Sequence, residues 1–101
     1  MTKTRPVRSE SYRRWVASHA CFACGIDGWS QCAHANGGGM GTKTCDTESF
    51  PLCCARYGIV GCHQKFDLCI GMDKETRRTL TISYVALMQS IARREGRKEF
   101  A

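Results

Sequence analysis

The sequence contains no long apolar run. None of its 101 residues lies in a stretch that approaches the roughly 20 consecutive apolar residues of a membrane-spanning helix. The N-terminal segment MTKTRPVRSESYRRW also lacks the apolar core of a secretory signal peptide. We therefore expect a soluble, cytoplasmic protein with no membrane partner.

Acidic residues are outnumbered by basic ones. Nine Asp and Glu face fifteen Lys and Arg, which leaves a formal charge of +6. This balance favours a polyanionic partner such as nucleic acid, although many basic proteins bind no nucleic acid. Residues 1–8 show no apolar periodicity, and we expect a flexible basic arm there. Residues 9–101 would be one domain, whose limited core favours a stabilising metal ion.

Cysteine is abundant instead. Eight cysteines in so short a chain are typical either of a secreted disulfide scaffold or of thiolate metal ligation, and the missing signal peptide favours metal. Cys21 and Cys24 are separated by two residues and followed by Gly25, which permits the tight turn of a zinc knuckle. A thioredoxin-like redox pair would need a βαβ context that the sequence does not show.

The second half of a metal site is offered by the segment FPLCCARYGIVGCHQKFD. Cys53 or Cys54, together with Cys62, would join the earlier pair on a structural zinc. His63 and Asp67 are four residues apart and would share one face of a helix that begins near Cys62. An imidazole and a carboxylate suit a second, catalytic divalent cation that keeps positions open for water.

His34 is the residue that we expect to act as a general base. A neutral imidazole titrates near physiological pH and can accept a proton from water. A solitary histidine is more often structural, but this one lies between a cysteine knuckle and the Cys62-His63 step. The carboxylates of Asp46 and Glu48 would either help to hold a metal ion or form a solvated turn.

A glycine-rich segment follows His34. Residues 36–44, NGGGMGTKT, contain too much glycine for regular structure and precede no helix signal, so a phosphate-binding P-loop is a poor fit. We expect a loop. Lys43 in it would contact a nucleic-acid phosphate, and an exposed linker is the equal alternative.

The first helix is predicted to begin after Ser9, which can cap it. Its apolar face recurs at helical spacing and consists of Tyr12, Trp15 and Val16. Arg13 and Arg14 would then lie toward solvent, where they are candidate nucleic-acid contacts.

The last helix is predicted to begin after Asp73 and to end at Gly96. Its apolar stripe consists of Leu80, Tyr84, Leu87, Met88 and Ile91. Residues 80–85 also alternate like a strand, which leaves the start of this helix open. The helix that carries His63 is predicted to end at Gly71, with a buried side formed by Leu68, Cys69 and Ile70.

Six motifs follow one another between residues 12 and 67. They are Tyr12-x-x-Trp15-Val16-Ala17-Ser18, Cys21-x-x-Cys24-Gly25, Ala33-His34, Gly38-Gly39-Met40-Gly41-x-Lys43-x-x-Asp46, Pro51-Leu52-Cys53 and Cys62-His63-x-x-x-Asp67. Any one of them alone would be weak evidence. Together they resemble the small phage-type HNH endonucleases, which are ββα-metal nucleases with a zinc knuckle, and in particular the group related to the RecA-dependent nuclease Ref.

Carried onto this chain, the resemblance implies a metal-dependent DNA endonuclease. The implied ligands of the structural zinc are Cys21, Cys24, Cys53 and Cys62. His34 would activate water against a phosphodiester, while His63 and Asp67 would hold a catalytic Mg²⁺, Mn²⁺ or Zn²⁺. The implied partners are DNA and a recombination or packaging protein, in the cytoplasm of a bacterium or of a phage-infected host.

The chain departs from the family pattern at three positions. Ala33 stands where many relatives place a metal-binding His or Asp, so Asp46 or Glu48 would have to supply that ligand. The family's middle letter, often Asn, falls near Glu48. The stretched spacing of the second cysteine pair leaves Cys54 as an alternative to Cys53.

The expected fold class is α+β. We expect a small treble-clef or ββα-metal domain stabilised by zinc, with N- and C-terminal helices and a β-hairpin that holds His34. The preferred function is hydrolysis of DNA, and the main alternative is a non-catalytic zinc module that binds nucleic acid. A secreted disulfide scaffold is the third possibility, and the oligomeric state is not predicted.

Overall fold

The computed structural model describes residues 7–35 and 45–100. Its elements are helix α1 (Glu10–Ala17), strands β1 (Ser30–His34) and β2 (Ser49–Cys53), helices α2 (Cys62–Asp67) and α3 (Lys74–Arg94), and a 3-10 turn (Lys98–Phe100). The predicted glycine-rich loop with Lys43, and most of the predicted arm, lie outside the described residues. Within them, no helix has the length and apolar character needed to cross a membrane.

Helix α1 begins where the sequence predicts. The Ser9 hydroxyl accepts the backbone N–H of Tyr12 at 3.2 Å, and Glu10 lies in the first turn. Tyr12 and Val16 are fully buried, so the predicted apolar face packs against the core. Val7, which was predicted to belong to the arm, accepts the backbone N–H of Asp46 at 2.8 Å. The folded part of the chain therefore begins before residue 9.

Strands β1 and β2 form a two-stranded antiparallel sheet in which Ala33 lies opposite Phe50. Opposite residues share a face, and side chains alternate along a strand, so Gln31 shares this face with Ala33. The ring of Phe50 lies 5.6 Å from that of Phe66, which places α2 on the same side. His34 is directed toward the other face of the sheet.

The aromatic ring of Tyr84 joins α3 to the rest of the core. Its centroid lies 5.3 Å from that of Phe50, 5.6 Å from that of Phe22 and 6.2 Å from that of Phe66. These contacts connect α3 with β2, with the loop after α1 and with α2. The α+β class is confirmed, and the packing places the N-terminus of α2 next to the end of β2.

Helix α3 confirms the predicted last helix, and the strand alternative for residues 80–85 is wrong. The Asp73 carboxylate accepts the N–H of Thr76 at 2.7 Å, and Gly96 ends the helix with φ +72°. Within the predicted stripe, Met88 is fully buried, whereas Leu87 is 50% exposed. Leu87 lies about 100° around the helix axis from Met88, on the side that faces solvent.

The predicted end of α2 is also wrong. The helix ends at Asp67, because Cys69 adopts φ +54° and donates its N–H to Phe66, while Ile70 donates to Lys65 at 2.8 Å. These two hydrogen bonds form a Schellman motif, in which the residue with positive φ is usually glycine. Ile70, which follows the reversal, is 49% exposed, and Leu68, the C-cap residue before it, is 62% exposed.

The first prediction concerns the two neighbouring residues of α3. Met88→Ala should lower the free energy of unfolding by about 2–5 kcal/mol, because it leaves a cavity at a fully buried position. Leu87→Ala removes a similar side chain from a half-exposed position and should cost well under that amount. Urea unfolding of metal-loaded protein measures both, and equal losses would contradict the packing described here.

Candidate metal centre

Four cysteines from different parts of the chain come together. Cys21 and Cys24 lie in the loop after α1, Cys53 ends β2 and Cys62 begins α2. Their sulfur atoms all lie within 4.8 Å of one another, and those of Cys24 and Cys53 are 3.8 Å apart. The structure thus brings the four predicted cysteines to positions where one metal ion could bind.

The first pair is held by a tight backbone turn. Cys21 donates its N–H to the carbonyl of Ile26 at 2.9 Å and accepts the N–H of Gly25 at 2.8 Å. Gly25 has φ +81°, a conformation that residues with a Cβ rarely adopt. This is the geometry that the Cys-x-x-Cys-Gly spacing predicts.

The second pair depends on Gly61. The backbone N–H of Cys62 donates to Sγ of Cys53 at 3.3 Å, which requires α2 to start against the end of β2. A Cβ added at Gly61 would lie 2.4 Å from the carbonyl carbon of Cys54 and 2.5 Å from the carbonyl oxygen of Cys53. Only glycine allows this approach. Gly61 is not among the residues predicted from the sequence, although its place directly before Cys62 is a signal.

The surroundings of the second pair shift the pKa values of Cys53 and Cys62 in opposite directions. Burial disfavours the thiolate of Cys53, but the backbone N–H of Cys62 and the side chain of Arg56 overcome this and lower its pKa to about 6. Burial raises the pKa of Cys62, and hydrogen bonding with the neighbouring thiols raises it further. A bound cation would stabilise the thiolates of both residues.

The other cysteines stand apart from this centre. Cys54 follows Cys53 directly but does not belong to the four-sulfur group. All eight cysteines are free thiols, so the disulfide scaffold finds no support in the structure. Cys32 is half-buried on β1.

His34 lies at the end of β1 and contacts a buried carboxylate. Its Nε2 is 2.8 Å from Oδ1 of Asp46, which is only 1% exposed. The second carboxylate oxygen accepts the backbone N–H of Ser9 at 2.7 Å and a guanidinium N–H of Arg13. Burial alone would raise the pKa of Asp46, but the hydrogen bonds from His34, Ser9 and Arg13 hold it below its usual range.

Two predictions about this region require correction. Arg13 was expected to lie toward solvent, but a buried carboxylate needs a positive partner, and Arg13 supplies it. Asp46 was expected either to help hold a metal ion or to lie in a solvated turn. The solvated turn is wrong, because Asp46 is only 1% exposed and its two oxygens accept hydrogen bonds from His34 and Ser9. Its role as a metal ligand stays a prediction. Arg14 does face solvent, where it pairs with Glu10 at 2.7 Å.

A groove of about 550 Å³ opens beside α2. Its lining residues are Gln31, Cys54, Ala55, His63, Gln64, Asp67 and Leu68. In it, Nδ1 of His63 lies 3.0 Å from Oε1 of Gln31 and therefore donates to it. The opposite nitrogen, Nε2, is 3.6 Å from a carboxylate oxygen of Asp67. Two acceptors that face each other at this distance suit a shared cation, and the open groove leaves room for water.

Gln31 was missed by sequence reasoning. It lies on the face of the sheet that also carries Ala33, where the family pattern would place a metal ligand. Its contact with His63 depends on how α2 docks on the hairpin, and no spacing along the chain reveals that.

The structure does not place His34 in this groove. Gln31 and His34 lie on opposite faces of the sheet, and their three-residue separation corresponds to roughly 10 Å along the strand. The lining of the groove contains His63 and Asp67 but not His34. The predicted base and the predicted cation ligands therefore occupy two sites, one on each side of the hairpin.

Comparison of the chain with protein-family models, with curated proteins and with solved structures gave no match. The likeness to HNH endonucleases thus rests on the residues quoted above.

We predict that Cys53→Ser abolishes stoichiometric metal binding, whereas Cys54→Ser leaves it intact. The reason is that only Cys53 has its sulfur in the four-thiol group, although the two residues are neighbours. Metal content of purified, desalted protein, measured by mass spectrometry, checks this. The opposite result would place Cys54 in the centre.

We also predict that Gly61→Ala loses metal and stability together, because the new Cβ has no space against the backbone of Cys54. Gly28→Asn is the matched control, since a Cβ at Gly28 meets no atom within 4 Å and Asn tolerates its φ of +84°. Metal content and thermal unfolding are the measurements. A Gly61→Ala protein that keeps its metal and its melting temperature would rule out the close approach.

Proposed function

We propose that this protein is a metal-dependent endonuclease that hydrolyses DNA phosphodiester bonds, with His34 as the general base. The supporting observation is the 2.8 Å contact between His34 and the buried carboxylate of Asp46. A carboxylate on one ring nitrogen fixes the tautomer and orientation of an imidazole, and leaves the other nitrogen free to accept a proton. Nδ1 of His34 has no hydrogen-bond partner among the described residues, so it would take the proton from water.

The four-cysteine centre would be a structural zinc site. Four thiolates without an open position are typical of structural zinc. At a zinc–sulfur distance of about 2.3 Å, two sulfurs on a tetrahedral ion are about 3.8 Å apart. The sulfurs of Cys24 and Cys53 have this separation. Zinc would fix the loop after α1 against β2 and α2.

His63 and Asp67 would hold the catalytic divalent cation, Mg²⁺, Mn²⁺ or Zn²⁺. An imidazole and a carboxylate beside open space fit such an ion. When bound, it would stabilise the charge that develops on the phosphate and the leaving oxygen. The chain's own part is to orient His63 through Gln31 and to keep the groove open to a phosphate.

DNA as the substrate is supported by charge. The chain carries a formal +6, and Arg14 extends into solvent with its side chain 80% exposed. Such charge attracts a phosphate backbone without regard to sequence. Lys43 is a further candidate contact outside the described residues. A recombination or packaging protein is the proposed protein partner, and the bacterial or phage-infected cytoplasm is the proposed location.

The alternative is a non-catalytic zinc module that binds nucleic acid. One observation favours it: His34 and the groove with His63 lie on opposite faces of the sheet. In this case the contact between His34 and Asp46 would only stabilise the fold. Both functions require zinc and DNA binding, so only a cleavage measurement separates them.

We predict that the purified protein nicks supercoiled plasmid DNA when Mg²⁺ or Mn²⁺ is added. His34→Ala should lower the rate at least about a hundredfold, because general-base catalysis contributes that much. Asp46→Asn should lower the rate with unchanged DNA affinity, since it weakens the hold on the imidazole. A supercoiled circle changes mobility after one nick, so slow cleavage is measurable on a gel.

Zinc content and DNA affinity of each variant serve as controls. His19→Ala is the matched histidine control, because the His19 ring contacts the carbonyl of Trp15 and belongs to neither site. Nicking that survives in His34→Ala at the wild-type rate would exclude the proposed base. If the wild-type protein binds zinc and DNA but does not cut DNA in the presence of any added divalent cation, it is the non-catalytic module.

A further inference from the structure

The segment between Cys53 and Cys62 forms a tight hairpin turn. Arg56 donates its N–H to Ile59 at 3.0 Å, and Ile59 donates back at 2.7 Å. The two residues between them, Tyr57 and Gly58, have φ of +46° and +78°. A two-residue hairpin loop with positive φ at both positions is a type I′ turn.

Tyr57 is an unfavourable residue for its position. The first central residue of a type I′ turn is usually Asn, Asp or Gly, because a bulky side chain is strained at positive φ. Tyr57 also contributes little to the core, since it is 88% exposed. An exposed aromatic residue in a strained conformation is better explained by binding than by stability.

The neighbours of Tyr57 complete a surface that we call the aromatic tip, formed by Trp29, Arg56 and Tyr57. The rings of Trp29 and Tyr57 meet edge to face with centroids 5.6 Å apart, and the Arg56 guanidinium lies 5.6 Å from the Trp29 ring. Because Tyr57 stays 88% exposed despite this contact, at least one face of its ring is open.

The aromatic tip adjoins the groove that contains His63 and Asp67. Ala55 and Gln64 line both this groove and the shallow depression around Tyr57. A strand of nucleic acid that lies along α2 would therefore pass from the groove to the aromatic tip.

We propose that the aromatic tip binds single-stranded DNA, with an unpaired base stacked on Tyr57 and a phosphate attracted by Arg56. Stacking on a side chain requires a base with a free face, and bases inside a duplex have none. A positive charge beside an open ring is the combination that single-strand-binding surfaces use. The identification of the nucleic acid as DNA rests on the proposed function. The substrate of the proposed enzyme would then be DNA with unpaired nucleotides next to the groove.

The test is fluorescence anisotropy with a labelled oligothymidylate of about 15 nucleotides, and with a duplex of the same length. No divalent cation is added, so cleavage does not enter. Tyr57→Asn should weaken single-strand binding about tenfold and leave duplex binding unchanged. Its melting temperature should stay equal or rise, because Asn suits the turn. Tyr57→Trp should bind like wild type, and Leu87→Gln, which alters an exposed apolar residue on α3, is the control.

Three outcomes would overturn the proposal. One is equal single-strand affinity of wild type and Tyr57→Asn, and another is an equal loss for duplex and single strand. The third is that the wild type sediments as a dimer and Tyr57→Asn as a monomer, with no change in DNA binding. The aromatic tip would then be a self-association surface. If single-strand binding depends on Tyr57 but the protein never nicks DNA, the binding role of the aromatic tip is supported and the proposed endonuclease activity is rejected.

Discussion

The proximity of four thiols is the constraint on which the rest of the structure depends. Cys21 and Cys53 belong to the buried core as well as to the cluster, so the core and the metal centre are one unit. Burial raises the pKa of Cys62, which makes the cluster costly to ionise without a cation. Metal binding and folding should therefore be coupled, as in other small domains whose ligands come together only in the folded state.

The two-stranded sheet separates the polar residues into two sites. Alternation along β1 directs His34 toward Asp46 and Gln31 toward His63. In a metal-dependent hydrolase the general base and the cation act on the same phosphate. The separation of His34 from the groove with His63 is therefore the feature that favours the non-catalytic module over the proposed endonuclease.

The sequence predicts the local features of this fold much better than its cross-chain contacts. The caps at Ser9 and Asp73 and the tight turn at Gly25 follow from short-range chemistry, and the structure contains all three. The grouping of the four cysteines followed from their spacing and from the family resemblance. The contacts of Asp46 with His34 and of Gln31 with His63 depend on strand register and on helix docking. No pattern along the chain specifies these.

The error at the end of α2 has a similar origin. An apolar run after Asp67 predicts continued burial, but one residue with positive φ, Cys69, redirects the chain. That conformation is expected of glycine and is not signalled by cysteine.

Ser9 connects the proposed base to both ends of the chain. Its backbone N–H donates to Asp46, and its hydroxyl donates to a carboxylate oxygen of Glu99 at 2.6 Å. Glu99 is itself held by Arg97 at 3.0 Å, so two carboxylates and their arginines surround the start of α1. His34 is therefore fixed by the folding of α1 and of the C-terminal turn. His63 and Asp67 lie in an open groove with fewer contacts. In the proposed enzyme these contacts would preorganise the base.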